Sequence, residues 1–220
     1  MPLACLQILH VTFAQTARFT MNVLAVVTLL AISTSAWAAS YTCHGDVRRL
    51  HPTGEHNGGV AASNRDVDYD YNDLRDKKSC YDQAGAAYCI QPAVIAALAS
   101  RESRGGRLLH STGGWGDHHH AYGILQCDIR YHSCTQHAWN SCAHISQMVH
   151  EVLVPYINQV ARKHPTWSSE QQLQGGIAAY NSGVGNVQTW THLDLGTTGN
   201  DYSNDVVARA QRLINHHGWH

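Results

Sequence analysis

The sequence has few of the features that mark metalloproteins, nucleic-acid-binding proteins or multidomain chains. It contains no HExxH motif and no pair of CxxC motifs, which argues against the common zinc sites. Charged residues make up only 14% of the chain, and they form no basic cluster of the kind that binds nucleic acid. Internal repeats, linkers and low-complexity segments are also missing. We therefore expect one monomeric domain over residues 39–220, without a metal, a cofactor or a nucleic-acid partner.

The first 38 residues differ from the rest, because they contain one basic residue, Arg18, and no acid. Their apolar run over residues 23–32 is too short to span a bilayer, and Ala36-Trp37-Ala38 follows it as a signal-peptidase pattern. We expect cleavage after Ala38, secretion, and a mature chain that is not attached to a membrane. Met21 is an alternative start, and an uncleaved N-terminal anchor is the alternative to a signal peptide.

Histidine is unusually frequent, with 16 of the 17 residues lying after residue 38. The same part has 14 Lys and Arg (15 less Arg18) against 16 Asp and Glu, a formal charge of about −2 with neutral imidazoles. Because imidazoles gain charge below a pH of about 6.5, we expect this part of the chain to become strongly cationic in mildly acidic medium. His118-His119-His120 and His216-His217 lack regular ligand spacing, so we interpret them as solvated histidines.

Six cysteines remain after the leader, and an even number in a secreted chain predicts three disulfides. The spacing leaves all 15 pairings open. These residues are Cys43, Cys80, Cys89, Cys127, Cys134 and Cys142.

The apolar periodicity predicts a mainly α, α+β fold with a small β-hairpin region. Residues 39–63 read as an irregular arm, and the glycine-rich segment 109–128 as the hairpin or loop region. Helices are predicted over about 66–78, 81–88, from Pro92 to Gly105-Gly106, 144–163 with a kink at Pro155, from Ser168-Ser169 into "GGIAAYNSG", and over 203–216.

One carboxyl group stands where an apolar helix face predicts a buried side chain. In "PAVIAALASRES", Ile95, Leu98 and Glu102 share one side of the helix. Burial raises the pKa of a carboxyl group, so Glu102 could stay protonated near neutral pH and act as a general acid. The alternative is a surface ion pair with Arg101 or Arg104.

Two further carboxyl groups follow within 26 residues, Asp117 in "GGWGD" and Asp128 in "GILQCD". Cleavage of a glycosidic bond needs one protonated carboxyl and one carboxylate that activates water or stabilises positive charge. Tyr180 and Asn181 in "AAYNSG" offer a ring, a hydroxyl and an amide for a sugar. The plainer alternative there is a helix C-cap with Gly183 in the left-handed conformation.

These pieces, with "CIQPAVIAALASRESRGG", "WSSEQQLQGGIAAYNSGVGNV" and "LGTTGNDYSNDVVARAQ", resemble goose-type lysozyme in order and spacing over about residues 41–219. The resemblance implies a lysozyme-like fold and inverting hydrolysis of the β-1,4 bond between N-acetylmuramic acid and N-acetylglucosamine in peptidoglycan, with chitin-like oligosaccharides as further substrates. By matching position, the resemblance implies that Glu102 is the general acid and that Asp117 and Asp128 hold the attacking water. It assigns sugar contacts to five residues: Gln126, His132, Tyr180, Asn181 and Tyr202.

The cysteines depart from the avian pattern of that family. Cys43 and Cys89 match one of the two disulfides known there, so the resemblance implies this bridge. The partners of the second avian bridge are missing, and the other four cysteines are additions reminiscent of invertebrate members. Their pairing stays open, although a bridge from Cys127, directly before Asp128, would fix the catalytic loop.

Two other functions fit parts of the pattern. Lytic transglycosylases share "ES", "GLMQ" and "AYNAG" blocks, echoed here by "ESRGG", "GILQ" and "AYNSG", but they work with a lone Glu and form a 1,6-anhydro product. Asp117 and Asp128 favour water as the nucleophile instead. A non-catalytic, cationic wall-binding antimicrobial protein is disfavoured by the weak formal charge.

Overall fold

The structure is a computed structural model, and it describes residues 41–219. The expected leader over residues 1–38, with its cleavage site after Ala38 and the alternative start at Met21, lies outside these residues. Within the described range no helix combines the length and apolarity needed to cross a membrane. All the described residues belong to one compact unit.

Helices dominate residues 41–219, as the periodicity predicts. The fold class is confirmed: seven α-helices accompany one small antiparallel sheet. The helices are α1 (Gly59–Arg75), α2 (Lys78–Tyr88), α3 (Pro92–Ser103), α4 (Cys142–Met148), α5 (Val154–Lys163), α6 (Ser169–Ser182) and α7 (Tyr202–His217).

Three predicted boundaries were wrong: the two ends of α1 and the start of α2, which lies at Lys78 and not near residue 81. Helix α1 begins at Gly59, inside the segment that we expected to be an irregular arm. It starts early because Ala62 and Ser63 are buried, and the Ser63 hydroxyl accepts a hydrogen bond from the backbone N–H of Glu55. Helix α1 also ends at Arg75 rather than near residue 78, where α2 already begins.

The predicted kink at Pro155 takes the form of one wide turn between α4 and α5. Over Val149–Leu153 the backbone is a π-helix, and the N–H of Val154 bonds to the carbonyl of Val149. Pro155 stands in the first turn of α5, where its missing N–H costs no hydrogen bond within that helix.

Helix α3 is the centre of the core. Every residue from Ile90 to Ser100 is buried, so the helix is enclosed on all sides and not on one face alone. Helices α1, α2 and α7 pack around it. It ends at the glycine pair, as predicted, where Arg104 and then Gly105 adopt left-handed backbone angles. Glu102 is therefore carried on the last turn of a fixed element.

The glycine-rich segment forms the expected hairpin region. Three short strands, β1 (Trp115–Gly116), β2 (Ala121–Tyr122) and β3 (Cys127–Asp128), pair in sequence order, and all pairs are antiparallel. In the register, Ala121 lies opposite both Gly116 and Asp128. The outer strands β1 and β3 thus flank β2, and each leads to one of the two candidate aspartates.

Three disulfides fasten this framework, as the cysteine count predicts. The bridge Cys43–Cys89 implied by the resemblance is confirmed. Cys80–Cys142 joins α2 to α4. Cys127–Cys134 closes a loop with a sequence separation of 7, and Asp128 lies inside that loop.

Candidate active site

Glu102 lies on the last turn of α3 between two arginines that bind elsewhere. Arg101 contacts Asp201 at 2.9 Å and Asp205 at 2.5 Å. Arg104 lies 3.4 Å from Asp66 on α1. The alternative of a surface ion pair between Glu102 and one of these arginines is therefore wrong, because both guanidinium groups are engaged by other carboxylates.

The partner of Glu102 is a tyrosine. The hydroxyl of Tyr202, at the start of α7, donates a hydrogen bond to Oε1 of Glu102. Burial raises the pKa of Glu102 to about 7, and the bond from Tyr202 and the charge of Arg101 reduce this rise. The carboxyl group thus holds its proton near neutral pH and can deliver it to a bound oxygen atom.

Tyr180 approaches the same carboxyl group from α6. Its hydroxyl donates to the carbonyl oxygen of Leu125 at 2.6 Å, which ties α6 to the hairpin region. Burial raises the pKa of Tyr180 well above its ordinary value, and the nearby charge of Glu102 raises it further. Both tyrosines therefore stay neutral around Glu102.

The two aspartates lie in more polar surroundings. Asp117 follows β1, has a positive φ of 42°, and exposes 59% of its side chain. Asp128 ends β3 and exposes 32% of its side chain. Their environments contrast with that of Glu102, as expected for carboxylates that work in the charged form.

Arg130 connects the two aspartates, and the sequence analysis missed it. Its Nε lies 2.9 Å from Oδ1 of Asp128, and its Nη2 lies 2.6 Å from Oδ2. The same Nη2 is 3.8 Å from Oδ2 of Asp117. These bonds lower the pKa of Asp128 and keep it ionised. The only signal in the sequence is a base two residues after an acid at a strand end.

A cleft of about 410 Å³ lies beside the hairpin region, and we call it the hairpin cleft. Its walls include five of the residues singled out from the sequence, together with Arg130. The five are Gln126, Asp128, His132, Tyr180 and Asn181. Glu102, Asp117 and Tyr202 are not among its wall residues. Glu102 adjoins it through Tyr180, and Asp117 through Arg130.

The polar groups of the hairpin cleft are held by defined contacts. Nε2 of His132 lies 3.2 Å from the hydroxyl of Tyr156, a wall residue that the sequence analysis did not single out. Gln126 donates to the carbonyl of Gly123 at 2.8 Å. Opposite it, a Cβ on Gly116 would lie 1.9 Å from Oε1 of Gln126, so a larger residue at this position would displace the Gln126 side chain.

The other two predicted sugar-contacting residues, Asn181 and Tyr202, also have structural partners. The Asn181 side chain accepts from the N–H of Thr198 at 2.8 Å and donates to its hydroxyl at 3.2 Å. Tyr202 is only 2% exposed, so its hydroxyl serves Glu102 and leaves little surface for a sugar. Gly183 ends α6 with φ 77° and ψ 155°. The positive φ is one that glycine adopts readily, but the ψ is not that of the left-handed helical C-cap of the alternative interpretation.

Among residues 41–219, no group of three or more His, Cys, Asp or Glu side chains is arranged to hold a metal ion. The site brings together Glu102, whose pKa is raised to about 7, two partly exposed aspartates and the guanidinium group of Arg130. For an inverting enzyme, we predict that the carboxyl group of Glu102 lies roughly 6.5 to 9.5 Å from those of the two aspartates.

Comparison with known proteins identifies the family of this chain. The family model described as "Lysozyme g" matches residues 43–217. The chain is 42% identical over 184 residues to "Lysozyme g" of Gallus gallus, covering 79% of this chain and 85% of that protein. It is 45% identical over 162 residues to "Lysozyme g" of Epinephelus coioides, covering 70% of this chain and 82% of that protein.

A relative from a mollusc, Lottia gigantea, is 52% identical over 195 residues and is described as "Glycine, glutamate and proline-rich protein". The aligned region covers 82% of this chain but only 46% of that longer protein. This similarity fits the expected invertebrate member. With the family model matched from residue 43 to residue 217, the chain belongs to the lysozyme g family and is a glycoside hydrolase of the lysozyme type.

Proposed function

We propose that this protein is a secreted, monomeric lysozyme that hydrolyses the β-1,4 bond between N-acetylmuramic acid and N-acetylglucosamine in bacterial peptidoglycan, with inversion at the anomeric carbon. Its role is bacteriolytic, in defence or digestion, and short chitin-like oligosaccharides are further substrates. The observation that carries the proposal is the carboxyl group of Glu102, whose pKa burial raises to about 7 while Tyr202 fixes its orientation.

Glu102 is the general acid. A glycan in the hairpin cleft presents its glycosidic oxygen to this carboxyl group, which transfers its proton as the bond to the anomeric carbon breaks. The leaving sugar thereby departs as a neutral alcohol, and Glu102 becomes a carboxylate. Tyr202 then stabilises the new charge through its hydrogen bond.

Asp128 and Asp117 orient and activate the water. Asp128 is ionised because Arg130 binds both of its carboxylate oxygens. The water attacks the anomeric carbon from the face opposite the leaving group, and an aspartate accepts its proton. Exchange of one proton from the aspartate to Glu102 through solvent restores the starting state.

Sugar contacts come from the walls of the hairpin cleft. Asn181 and Tyr180 stand at the end of α6, and Gln126 and His132 flank Asp128. Amide, imidazole and phenol groups suit the hydroxyl and acetamido groups of an aminosugar. We assign Tyr202 to Glu102 instead of to a sugar, because it is buried.

The decisive experiment is product analysis on purified peptidoglycan in ¹⁸O-labelled water. Hydrolysis is expected to place one labelled oxygen at the new reducing end. Products with a 1,6-anhydro ring would show a lytic transglycosylase and refute hydrolysis. Proton NMR of the products at early times, before mutarotation, is expected to show the α-anomer first, because inversion of a β-bond gives this anomer.

The Glu102→Gln variant is expected to lose at least about a hundredfold in kcat, because an amide cannot donate the proton that a general acid supplies. Glu151→Gln is the matched control, since Glu151 is exposed and lies outside the hairpin cleft. Lysis by Glu102→Gln at the rate of the control would instead indicate a non-catalytic, wall-binding antimicrobial protein.

The leader belongs to the same proposal. Residues 1–38 direct secretion and are removed after Ala38. N-terminal sequencing of the exported protein is expected to begin at Ala39. An exported protein that retains residues 23–32 would instead indicate an anchor.

A further inference from the structure

A second cleft, of about 570 Å³, takes no part in the proposed mechanism. Its volume falls in the range of small-molecule sites, about 300 to 1,000 Å³. We call it the Trp190 cleft. Its walls come from the N-terminal arm, helix α6, the loop before α7 and the first turn of α7, through residues that include His51, Gln174, Trp190, Thr191, Asn200 and Asn204.

Trp190 gives this cleft an aromatic surface. Its side chain is 38% exposed, yet its ring is supported from behind. Trp167 contacts it edge-on with ring centroids 5.7 Å apart, and Trp167 itself stacks on His164 at 4.0 Å. An indole that is both exposed and fixed by packing is suited to stack against the apolar face of a sugar ring.

The one carboxylate in the walls is already satisfied. Asp194 accepts four hydrogen bonds from the start of α7: from the backbone N–H and hydroxyl of Ser203, and from the backbone N–H and side-chain amide of Asn204, at 2.8 to 3.0 Å. None of the described wall residues is Lys, Arg or Glu. Histidine supplies the basic groups of the described walls, through His51 and His192. Because no guanidinium or ammonium group is present there to pair with phosphate or an acidic peptide, the Trp190 cleft favours a neutral ligand.

Neutral polar groups remain free along the walls. The Asn200 side chain accepts a bond from the N–H of Gly196 at 2.8 Å, which leaves its amide N–H groups for a ligand. Thr191 contributes a hydroxyl beside the indole. An aromatic plane with nearby amide and hydroxyl groups matches a neutral, hydroxyl-rich ligand such as an N-acetylhexosamine.

The two clefts share one structural element. The short turn Thr198–Asn200 is bonded through Thr198 to Asn181 of the hairpin cleft, while Asn200 lines the Trp190 cleft. The polymeric substrate of a lysozyme is long enough to contact both sides of such a turn. This continuity favours the glycan over an unrelated small molecule as the occupant.

We propose that the Trp190 cleft binds neutral N-acetylhexosamine units of the glycan, away from the bond that is cleaved, and so anchors the enzyme to insoluble peptidoglycan. The substrate class rests on the proposed function. Because binding at two places on one strand raises the effective concentration of the second contact, loss of the cleft weakens binding to the polymer much more than binding to a short oligosaccharide.

The first test measures binding in the inactive Glu102→Gln background, with chitotetraose as the soluble probe. Calorimetry is expected to show two sites, one of which is lost when Trp190→Ala is added. Tyr69→Ala is the matched control, because Tyr69 is an aromatic residue that is 70% exposed and lines neither cleft. The proposal would be overturned if both sites remained in Trp190→Ala, or if only one site were found both before and after Trp190→Ala is added.

The second test compares substrates in the active enzyme. Trp190→Ala is expected to bind insoluble peptidoglycan roughly tenfold more weakly and to keep its rate on soluble chito-oligosaccharides. An equal loss on both substrates, or no loss on either, would contradict an anchoring role. Asn200→Gly preserves the left-handed backbone at φ 54° and removes the amide, so it tests the cleft if Trp190→Ala fails to fold.

The calorimetric result does not depend on turnover. If peptidoglycan proves not to be hydrolysed, a site that disappears with Trp190 still establishes glycan binding. If hydrolysis is confirmed and the second site is missing, the Trp190 cleft proposal fails while the enzyme assignment stands.

Discussion

The hydroxyl of Tyr202 donates a hydrogen bond to Glu102, across a sequence separation of 100 residues. The bond joins the first turn of α7 to the last turn of α3. Burial raises the pKa of Glu102, and the bond opposes that rise because it favours the charged form. The pKa that results from these two opposing effects sets the pH range in which Glu102 can donate its proton.

Replacing Tyr202 with Phe is expected to raise the pKa of Glu102 by roughly one unit, since a hydrogen bond to a charged group is worth about 1.5 kcal/mol or more. The alkaline limb of kcat/KM moves to higher pH, and the plateau falls because the acid is weaker. Tyr81→Phe is the control, as the Tyr81 hydroxyl is buried away from the site without a hydrogen-bond partner in the described chain. An alkaline limb that stays in place would show that Tyr202 does not tune Glu102.

Replacing Arg130 with Gln is expected to raise the pKa of Asp128 toward the ordinary value of about 3.9. The bonds from Arg130 are the largest cause of the lowered value. Asp128 must be ionised to accept a proton from water, so the acid limb of the activity profile moves to higher pH. Arg130→Lys keeps a positive charge, so the acid limb of its profile is expected to lie between those of the unmodified protein and Arg130→Gln. A profile for Arg130→Gln that matches Arg162→Gln, an exposed control, would argue against this role.

The Cys127–Cys134 bridge is expected to matter more for turnover than for stability. Loss of so short a loop constraint costs about 2.5 kcal/mol, whereas loss of the Cys43–Cys89 bridge, with its separation of 46, costs about 4 kcal/mol. Serine pairs at both bridges can be compared at a temperature where each variant is folded. We expect reduced kcat only for the Cys127–Cys134 variant, because its loop carries Asp128. Unchanged kcat there would show that the hairpin holds Asp128 without the bridge.

The buried imidazole of His144 is expected to make the folded protein less stable in acid. Burial lowers its pKa to about 4, so between about pH 6.5 and 4 the unfolded chain binds a proton that the folded chain does not. The stability contributed by the neutral imidazole is complete above this window and falls by up to about 3 kcal/mol as the pH drops through it. Urea unfolding of His144→Leu is expected to show a smaller decrease between pH 7 and 4.5, whatever its absolute stability. Parallel curves for the two proteins would exclude His144 as the source.

The sequence was most informative where one pattern had one physical reading. The apolar run before Glu102, the glycine stop after it and Pro92 at its start predicted α3 nearly to the residue. The partial burial of Glu102 followed from its position on the same side as Ile95. The amount by which its pKa rises did not follow, because that depends on Tyr202 and on the direction taken by Arg101.

Features that depend on contacts distant in the sequence were missed. The early start of α1 depends on Ser63 and Glu55, which meet only because the arm folds back. Arg130 reads as an ordinary surface base until the hairpin brings Asp117 and Asp128 together around it. The pairing of four cysteines was likewise open, since it is set by how α2, α4 and the hairpin pack.

The anchoring of Arg101 by Asp201 and Asp205 has an evolutionary consequence. If both acids are lost, the guanidinium group keeps its bond to the Thr198 carbonyl but can turn toward the neighbouring Glu102, whose pKa it already lowers from its present position. Homologous enzymes could therefore shift their optimal acidity through changes on the opposite helix, while every side chain that meets the polysaccharide stays the same. Adaptation to the pH of a gut, a mucus layer or a blood cell would then change residues that do not line the cleft.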